Sequence, residues 1–118
     1  MNDPASTYSE QDATHLRIFL SERDRWEHQP LFEAIVMKAR DAGLAGATVL
    51  RGPLGFGASG KIQTAKILQL SDNLPVVIEI IDSGDVIRAF LGTISGMMDG
   101  GLVTMHTVRA IQFPKRSK

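Results

Sequence analysis

Gly55-Phe56-Gly57-Ala58-Ser59-Gly60-Lys61 spells G-x-x-x-x-G-K, the spacing of a phosphate-cradling P-loop, and then breaks the pattern with Ile62. A P-loop places a serine or threonine there to hold magnesium, so one physical part of that site is missing. Pro53 interrupts the approach that a P-loop makes from a strand, and 118 residues are few for a doubly wound parallel sheet. What remains is a glycine-rich segment with free backbone N–H groups beside a cation. Its meaning depends on the elements around it.

Downstream, Pro75 to Asp82 (PVVIEIID) is apolar nearly throughout, as expected of a central strand. Asp82 or Ser83 can cap a following helix whose stripe is Ile87, Phe90, Leu91, Ile94 and Met98. Gly100 and Gly101 end it, and residues 102–110 (LVTMHTVRA) alternate as a last strand. Upstream, residues 15–21 (HLRIFLS) set Leu16, Ile18 and Leu20 against Arg17 and Phe19, the period of a first strand. Pro30 to Ala42 recurs at helical spacing, with proline at its start and Gly43 just past its end. Gly46 to Gly52 is a short β-branched strand. The order β-α-β-β-α-β predicts an α+β fold, a ferredoxin-like antiparallel sheet with both helices on one face. The other face lacks a helical cover, which points to a homo-oligomer.

The domain is expected over 14–113, with a mobile, polar tail over 1–13 and a basic tail over 114–118. Residues 53–74 form a connection far longer than a hairpin turn, and such loops are functional or disordered. Its second half, KIQTAKILQL, permits helix or strand.

Composition narrows the functional classes. With 13 basic and 13 acidic residues the formal charge is zero, which gives no field to attract nucleic acid or anionic lipid. The absence of cysteine removes disulfides, thiolate metal sites and cysteine nucleophiles. The N-terminal residues carry no signal pattern and no apolar run is long enough to span a bilayer, so a cytoplasmic protein without direct membrane insertion is expected. His15, His28 and His106 fall on different elements, and no metal site is expected within one chain.

Three motifs in order carry a resemblance. Gly43-Leu44-Ala45-Gly46-Ala47-Thr48-Val49 follows the first helix, Gly55-Phe56-Gly57 opens the long connection, and Asp99-Gly100-Gly101-Leu102-Val103 leads into the last strand. Over residues 15 to 111 the chain resembles the PII-like family of small signalling proteins, and within it the uncharacterised domain-of-unknown-function group of the UPF0166 type. The resemblance implies a homotrimer with three clefts between subunits, each binding an adenine nucleotide. Residues 53–74 would correspond to the signalling T-loop. One cleft wall would carry Arg51, Gly52, Gly55, Phe56 and Gly57, with Lys61 as a secondary contact. Asp99, Gly100, Gly101, Leu102 and Val103 would form the other. Exposed N–H groups at glycine turns suit phosphate, as does the rigid fork of arginine.

Two departures qualify the implied ligand. Gly101 stands where PII proteins carry a lysine for the outer phosphates, and no tyrosine occurs after Tyr8 to accept a nucleotidyl group. AMP, ADP or a cyclic nucleotide is therefore expected over ATP with magnesium. No catalytic residue and no required cofactor is assigned. The partner class that the resemblance implies is a membrane transporter or channel. Two alternatives are an acylphosphatase-like hydrolase, with Arg23 and Arg25 in the first β-α loop, and a structural trimer without ligand.

Overall fold

The alternation of apolar residues in the first strand is what builds the core. In the computed structural model, which describes residues 7–57, 59–64 and 74–116, the elements in chain order are β1 (Ser9–Ser21), β2 (Arg25–Trp26), β3 (Gln29–Pro30), α1 (Leu31–Asp41), β4 (Thr48–Arg51), β5 (Leu54–Gly55), β6 (Gln63–Thr64), β7 (Pro75–Asp82), α2 (Gly84–Ile94) and β8 (Leu102–Gln112). A single 3₁₀ turn, Ser95–Met97, extends α2. Strands β4, β7, β1 and β8 lie side by side in that order, every neighbouring pair antiparallel. This is the expected sheet, and the antiparallel pairing excludes the P-loop fold.

Ile18 sits opposite Ile78 on one side and Val103 on the other, and Leu16 opposite Ile80 and Met105. Leu16, Ile18, Val76, Ile78 and Ile80 are fully or almost fully buried. They share one core with Leu31, Phe32, Ala34, Ile35 and Ala39 of α1 and with Ile87, Phe90 and Ile94 of α2. Both helices therefore cover the same sheet face, as expected.

Local chemistry sets the helix ends. Ser83 is the N-cap of α2, its hydroxyl accepting from the Val86 amide. Asp82 Oδ2 accepts from the Ala45 amide and ties the approach to β4 to the end of β7. At the start of α1, Pro30 occupies the cap position rather than the first helical one, and no side chain caps that end. The charged loop before α1 folds into the β2–β3 hairpin, whose turn residues Glu27 and His28 both have positive φ. Trp26 packs partly against the core, with Lys38 Nζ 5.7 Å from its ring centre.

Two boundaries need correction. Residues 9–13, expected in a mobile tail, are strand, paired with Val108–Gln112, and β8 continues past residue 110 to Gln112. No β7 partner accompanies this arm beyond Asp82, so polar residues are tolerated on both of its faces and the alternation that marks a half-buried strand fades. Cross-strand charge supports the pairing: Arg109 bonds Asp12 at 2.7 Å and Glu10 at 3.1 Å. The Asp12 and then Glu10 carboxylates raise the Arg109 pKa above its ordinary value. Residues 1–6, 65–73 and 117–118, including most of the helix-or-strand segment, lie outside the described residues.

Ile18→Ala is expected to cost about 2–5 kcal/mol of unfolding free energy, as a fully buried Ile truncated between two strands. Ser83→Ala is expected to cost about 1 kcal/mol through the lost cap. Urea unfolding followed by circular dichroism measures both, and equal midpoints for the two variants would contradict this ordering.

Candidate functional site

Antiparallel pairing collects the expected site residues at one end of the sheet. Ser21 at the end of β1 faces Pro75 at the start of β7, Arg51 at the end of β4 faces Val76, and Leu102 at the start of β8 faces Phe19. The two expected walls nevertheless sit on opposite edges, one after β4 and the other before β8. With β7 and β1 between them, the edge strands are about 14 Å apart at ordinary strand spacing. One chain does not bring the walls together.

The first wall is built around a carboxylate that sequence reasoning missed. Glu22, whose side chain is 10% exposed, accepts the Nε hydrogen of Arg51 through Oε2. Its Oε1 accepts from the Leu74 amide at 3.2 Å, and its own amide donates to the Leu74 carbonyl at 2.9 Å. Gly52 N donates to Pro75 O at 2.9 Å, and Gln63 Nε2 donates to Ser21 Oγ. Glu22 thus fastens both ends of the long connection to the end of β1. Arg51, expected as a phosphate contact, has its guanidinium carbon 5.7 Å from the Phe32 ring centre and its Nε committed to Glu22. Among the described residues the other guanidinium nitrogens have no hydrogen-bond partner, and the side chain is 56% exposed.

Gly52 and Gly55 both pass close to the Pro75 ring. A Cβ at either would stand 3.1 Å from Pro75 Cγ. The β5–β6 pair then projects Leu54, Phe56 and Ile62 into solvent, Phe56 at 71% exposure. Gly57 closes a turn by accepting from the Gly60 amide. Lys61 is exposed, its amide bonded to Ser59 Oγ at 3.3 Å. No helix follows it within the described residues.

The second wall is a turn with two consecutive left-handed residues, Gly100 at φ +77° and Gly101 at φ +98°. A Cβ on Gly101 would also meet Met98 Cε at 2.9 Å. A lysine there, as in PII proteins, would be strained. Asp99 is exposed, Leu102 is 60% exposed and Val103 packs partly on the core.

The uncovered sheet face is organised in rows. Leu50, Val77, Phe19 and Leu102 form an apolar row across all four strands beside both walls. Next comes the polar row of Thr48, Glu79, Arg17 and Thr104, in which Arg17 Nε donates to Glu79 Oε2 at 3.1 Å. The third row holds Ile81, His15 and His106. His15 and His106, which the sequence leaves scattered, are thus directly opposite each other, while His28 stands apart in the β2–β3 turn. Among the described residues no three His, Asp or Glu side chains converge as a metal cage. A shallow cavity of about 250 Å³ opens at the β4 side of this face, lined by Ala45, Gly46, Ala47, Thr48, Glu79 and Ile81. It lies at the other end of the sheet from the expected site. No helix among the described residues is long and apolar enough to cross a membrane.

Comparison with known proteins agrees with this fold. The family model DUF190, described as "Uncharacterized ACR", matches residues 13–110. A UPF0166 protein of Aquifex aeolicus is 42% identical over 96 residues, covering 81% of this chain and 90% of its own length. A UPF0166 protein of Methanocaldococcus jannaschii is 37% identical over 76 residues, covering 64% of this chain and 69% of its own. Among solved structures, CPII from Thiomonas intermedia K12, a nitrogen regulatory PII-like protein bound to ADP, AMP and bicarbonate, superposes with a TM-score of 0.66 at 16% identity, over 86% of this chain and 91% of that one. A PII-like signalling protein of Thermus thermophilus superposes with a TM-score of 0.58 at 13% identity, over 88% and 92% of the two chains. The fold is PII-like.

Gly101→Ala is expected to cost about 1–3 kcal/mol from its positive φ. Glu22→Ala, which leaves the Leu74 amide without its carboxylate partner, is expected to cost about 1–3 kcal/mol and to speed hydrogen exchange at Leu74 while leaving Ile18 and Ile78 protected. Exchange rates at Leu74 unchanged by Glu22→Ala would contradict the fastening role.

Proposed function

We propose that this chain, which belongs to the DUF190 family, is a non-enzymatic sensor that assembles as a homotrimer and binds an adenine nucleotide in clefts between subunits. The observation that carries this reading is the position of the two walls. Both lie at the same end of the sheet but on opposite edges, so a ligand pocket closes when the β4 edge of one copy meets the β8 edge of the next. The apolar row of Leu50, Val77, Phe19 and Leu102 runs between those edges on the uncovered face, and its burial between copies would favour association. The PII-like fold supports the ligand class, since CPII holds ADP and AMP.

In the assembled cleft the open N–H groups of Arg51 and the backbone amides of Gly55 to Gly57 would meet phosphate, with Gly100 and Gly101 opposite. Lys61 is exposed and within the same segment, a secondary contact. Gly101 offers no charge toward a third phosphate, which favours AMP, ADP or a cyclic nucleotide over ATP. Bound ligand would fix the position of the β5–β6 pair, and its exposed Leu54, Phe56 and Ile62 would then meet a partner, a membrane transporter or channel in a cytoplasmic setting. A switch of this kind needs no chemical step.

Calorimetric titration with AMP, ADP, ATP and cyclic AMP tests the ligand, and light scattering on the same sample tests the trimer. The expected result is a trimer that binds ADP or AMP more tightly than ATP, with Arg51→Gln weakening binding about tenfold, the loss of one charged contact. A trimer giving no heat with any of the four would leave a purely structural assembly, and a monomer would overturn the shared cleft. Rapid phosphate release from acyl phosphate would instead favour a hydrolase.

A further inference from the structure

We propose that His15 and His106 form a binding site for a divalent transition-metal ion of the copper, nickel or zinc type on the uncovered sheet face. The site lies two rows away from the nucleotide walls and does not depend on nucleotide binding.

The geometry comes from register. His15 on β1 and His106 on β8 are direct cross-strand partners, with ring centres 5.1 Å apart and planes tilted by 54°. A tetrahedral ion held by two imidazole nitrogens at about 2.0–2.1 Å each sets the ring centres about 5 Å apart. The pair therefore already has the separation that one shared ion requires, and the tilt keeps the rings from stacking.

His15 has a buried ring nitrogen that no protein group among the described residues satisfies. Its side chain is 11% exposed, and its Nε2 is buried without a hydrogen-bond partner. The nearest charge to that nitrogen is Glu79 Oε1 at 3.5 Å. Glu79 is itself held by Arg17, whose Nε donates to the other carboxylate oxygen at 3.1 Å. Metal-bound histidines characteristically direct the second ring nitrogen at a carboxylate, which fixes the tautomer and strengthens the ligand. A proton on Nε2, turned toward Glu79 as metal binding tightens this contact, would leave the Nδ1 lone pair of His15 for the ion. His106 is exposed and free to turn its ring toward it.

The surroundings select the class of ion. Imidazole donors suit zinc, copper and nickel, whereas magnesium and calcium demand oxygen ligands. Ala13 and Val108 flank the pair on one side, Arg17 and Thr104 on the other, and Ile81 completes the row. The Arg17 cation is matched by Glu79, so no uncompensated positive charge opposes the ion. Two protein ligands are fewer than the three of a catalytic zinc centre, so the remaining positions fall to water or to the same pair on a neighbouring copy.

Titration of untagged full-length protein with zinc chloride, copper(II) chloride and nickel chloride, followed by calorimetry and by the histidine ring signals in NMR, tests the proposal. The expected result is saturable binding with copper tightest, zinc shifting and copper broadening the ring signals of His15 and His106 while that of His28 stays in place. His106→Asn, at an exposed position, is expected to weaken zinc binding more than tenfold without loss of fold. Glu79→Gln is expected to weaken it about tenfold, the usual effect of an outer partner. His28→Asn should change nothing. Equal zinc affinity in the natural protein and in His106→Asn would overturn the proposal, as would ring shifts confined to His28 or an absence of binding.

Discussion

The register of β1 between β7 and β8 is the constraint on which the rest depends. Ile18 must face Ile78 and Val103 for the buried residues of three strands to fall on one side. Side chains alternate along a strand, so a slip of one residue would turn Leu16 and Ile18 outward and bring Arg17 and His15 under the helices. Two helices with apolar stripes enforce the observed choice, because Ile35 and Ile87 are completely buried against that face. The same register, with no further input, lines up Leu50, Val77, Phe19 and Leu102 on the other face and sets His15 against His106. The uncovered face is thus as tightly specified as the core, although no helix among the described residues covers it.

A second constraint operates at the end of the sheet. A long connection leaves β4 and returns to β7, and closing such a loop costs entropy that grows only slowly with its length. The ends still have to be held together. Glu22 does so from outside the hairpin, with one carboxylate oxygen on Arg51 and the other on the Leu74 amide. Pro75 supplies the steric half: Gly52 and Gly55 pass close enough to its ring that a side chain at either would crowd it. The glycines that first suggested a phosphate loop therefore have a packing reason of their own. That reason does not compete with a ligand role at Gly55, where packing uses the Cα side, whereas the Gly52 N–H is already committed to the Pro75 carbonyl.

Much of this was legible in the sequence because it rests on local signals. The apolar run of residues 75–82, the Ser83 cap, the stripe through Ile87, Phe90 and Ile94 and the period of two at 15–21 each depend on neighbours a few residues apart. What was not legible depends on pairing between distant segments. Residues 9–12 carry no alternation because all four are exposed, and only their partners Arg109–Gln112 make them a strand. Glu22 reads as one charge in a charged loop until Leu74 is placed beside it. His15 and His106 are separated by most of the chain, and only the β1–β8 register puts them opposite each other. For the candidate site the signal was the glycine pattern, which suggested both walls. Their separation on opposite edges is a consequence of strand order, which no motif encodes.

The rows of the uncovered face imply a direction for any association. Phe19, Leu50 and Leu102 are 37%, 50% and 60% exposed, and all stand at the end that carries the site walls. Burying side chains of this size is worth about 1.5–3 kcal/mol each when complete. The middle row offers little to a partner, because Arg17 and Glu79 already satisfy each other and stripping water from such a pair is costly. A contact through this face would therefore concentrate at the apolar end, next to Gly52 and Leu102, and leave the histidine row the less tightly packed. In the proposed assembly, that division would place the driving force where the two halves of the candidate cleft would meet. It also leaves the imidazoles at the end where space for an ion and its remaining ligands is easiest to keep.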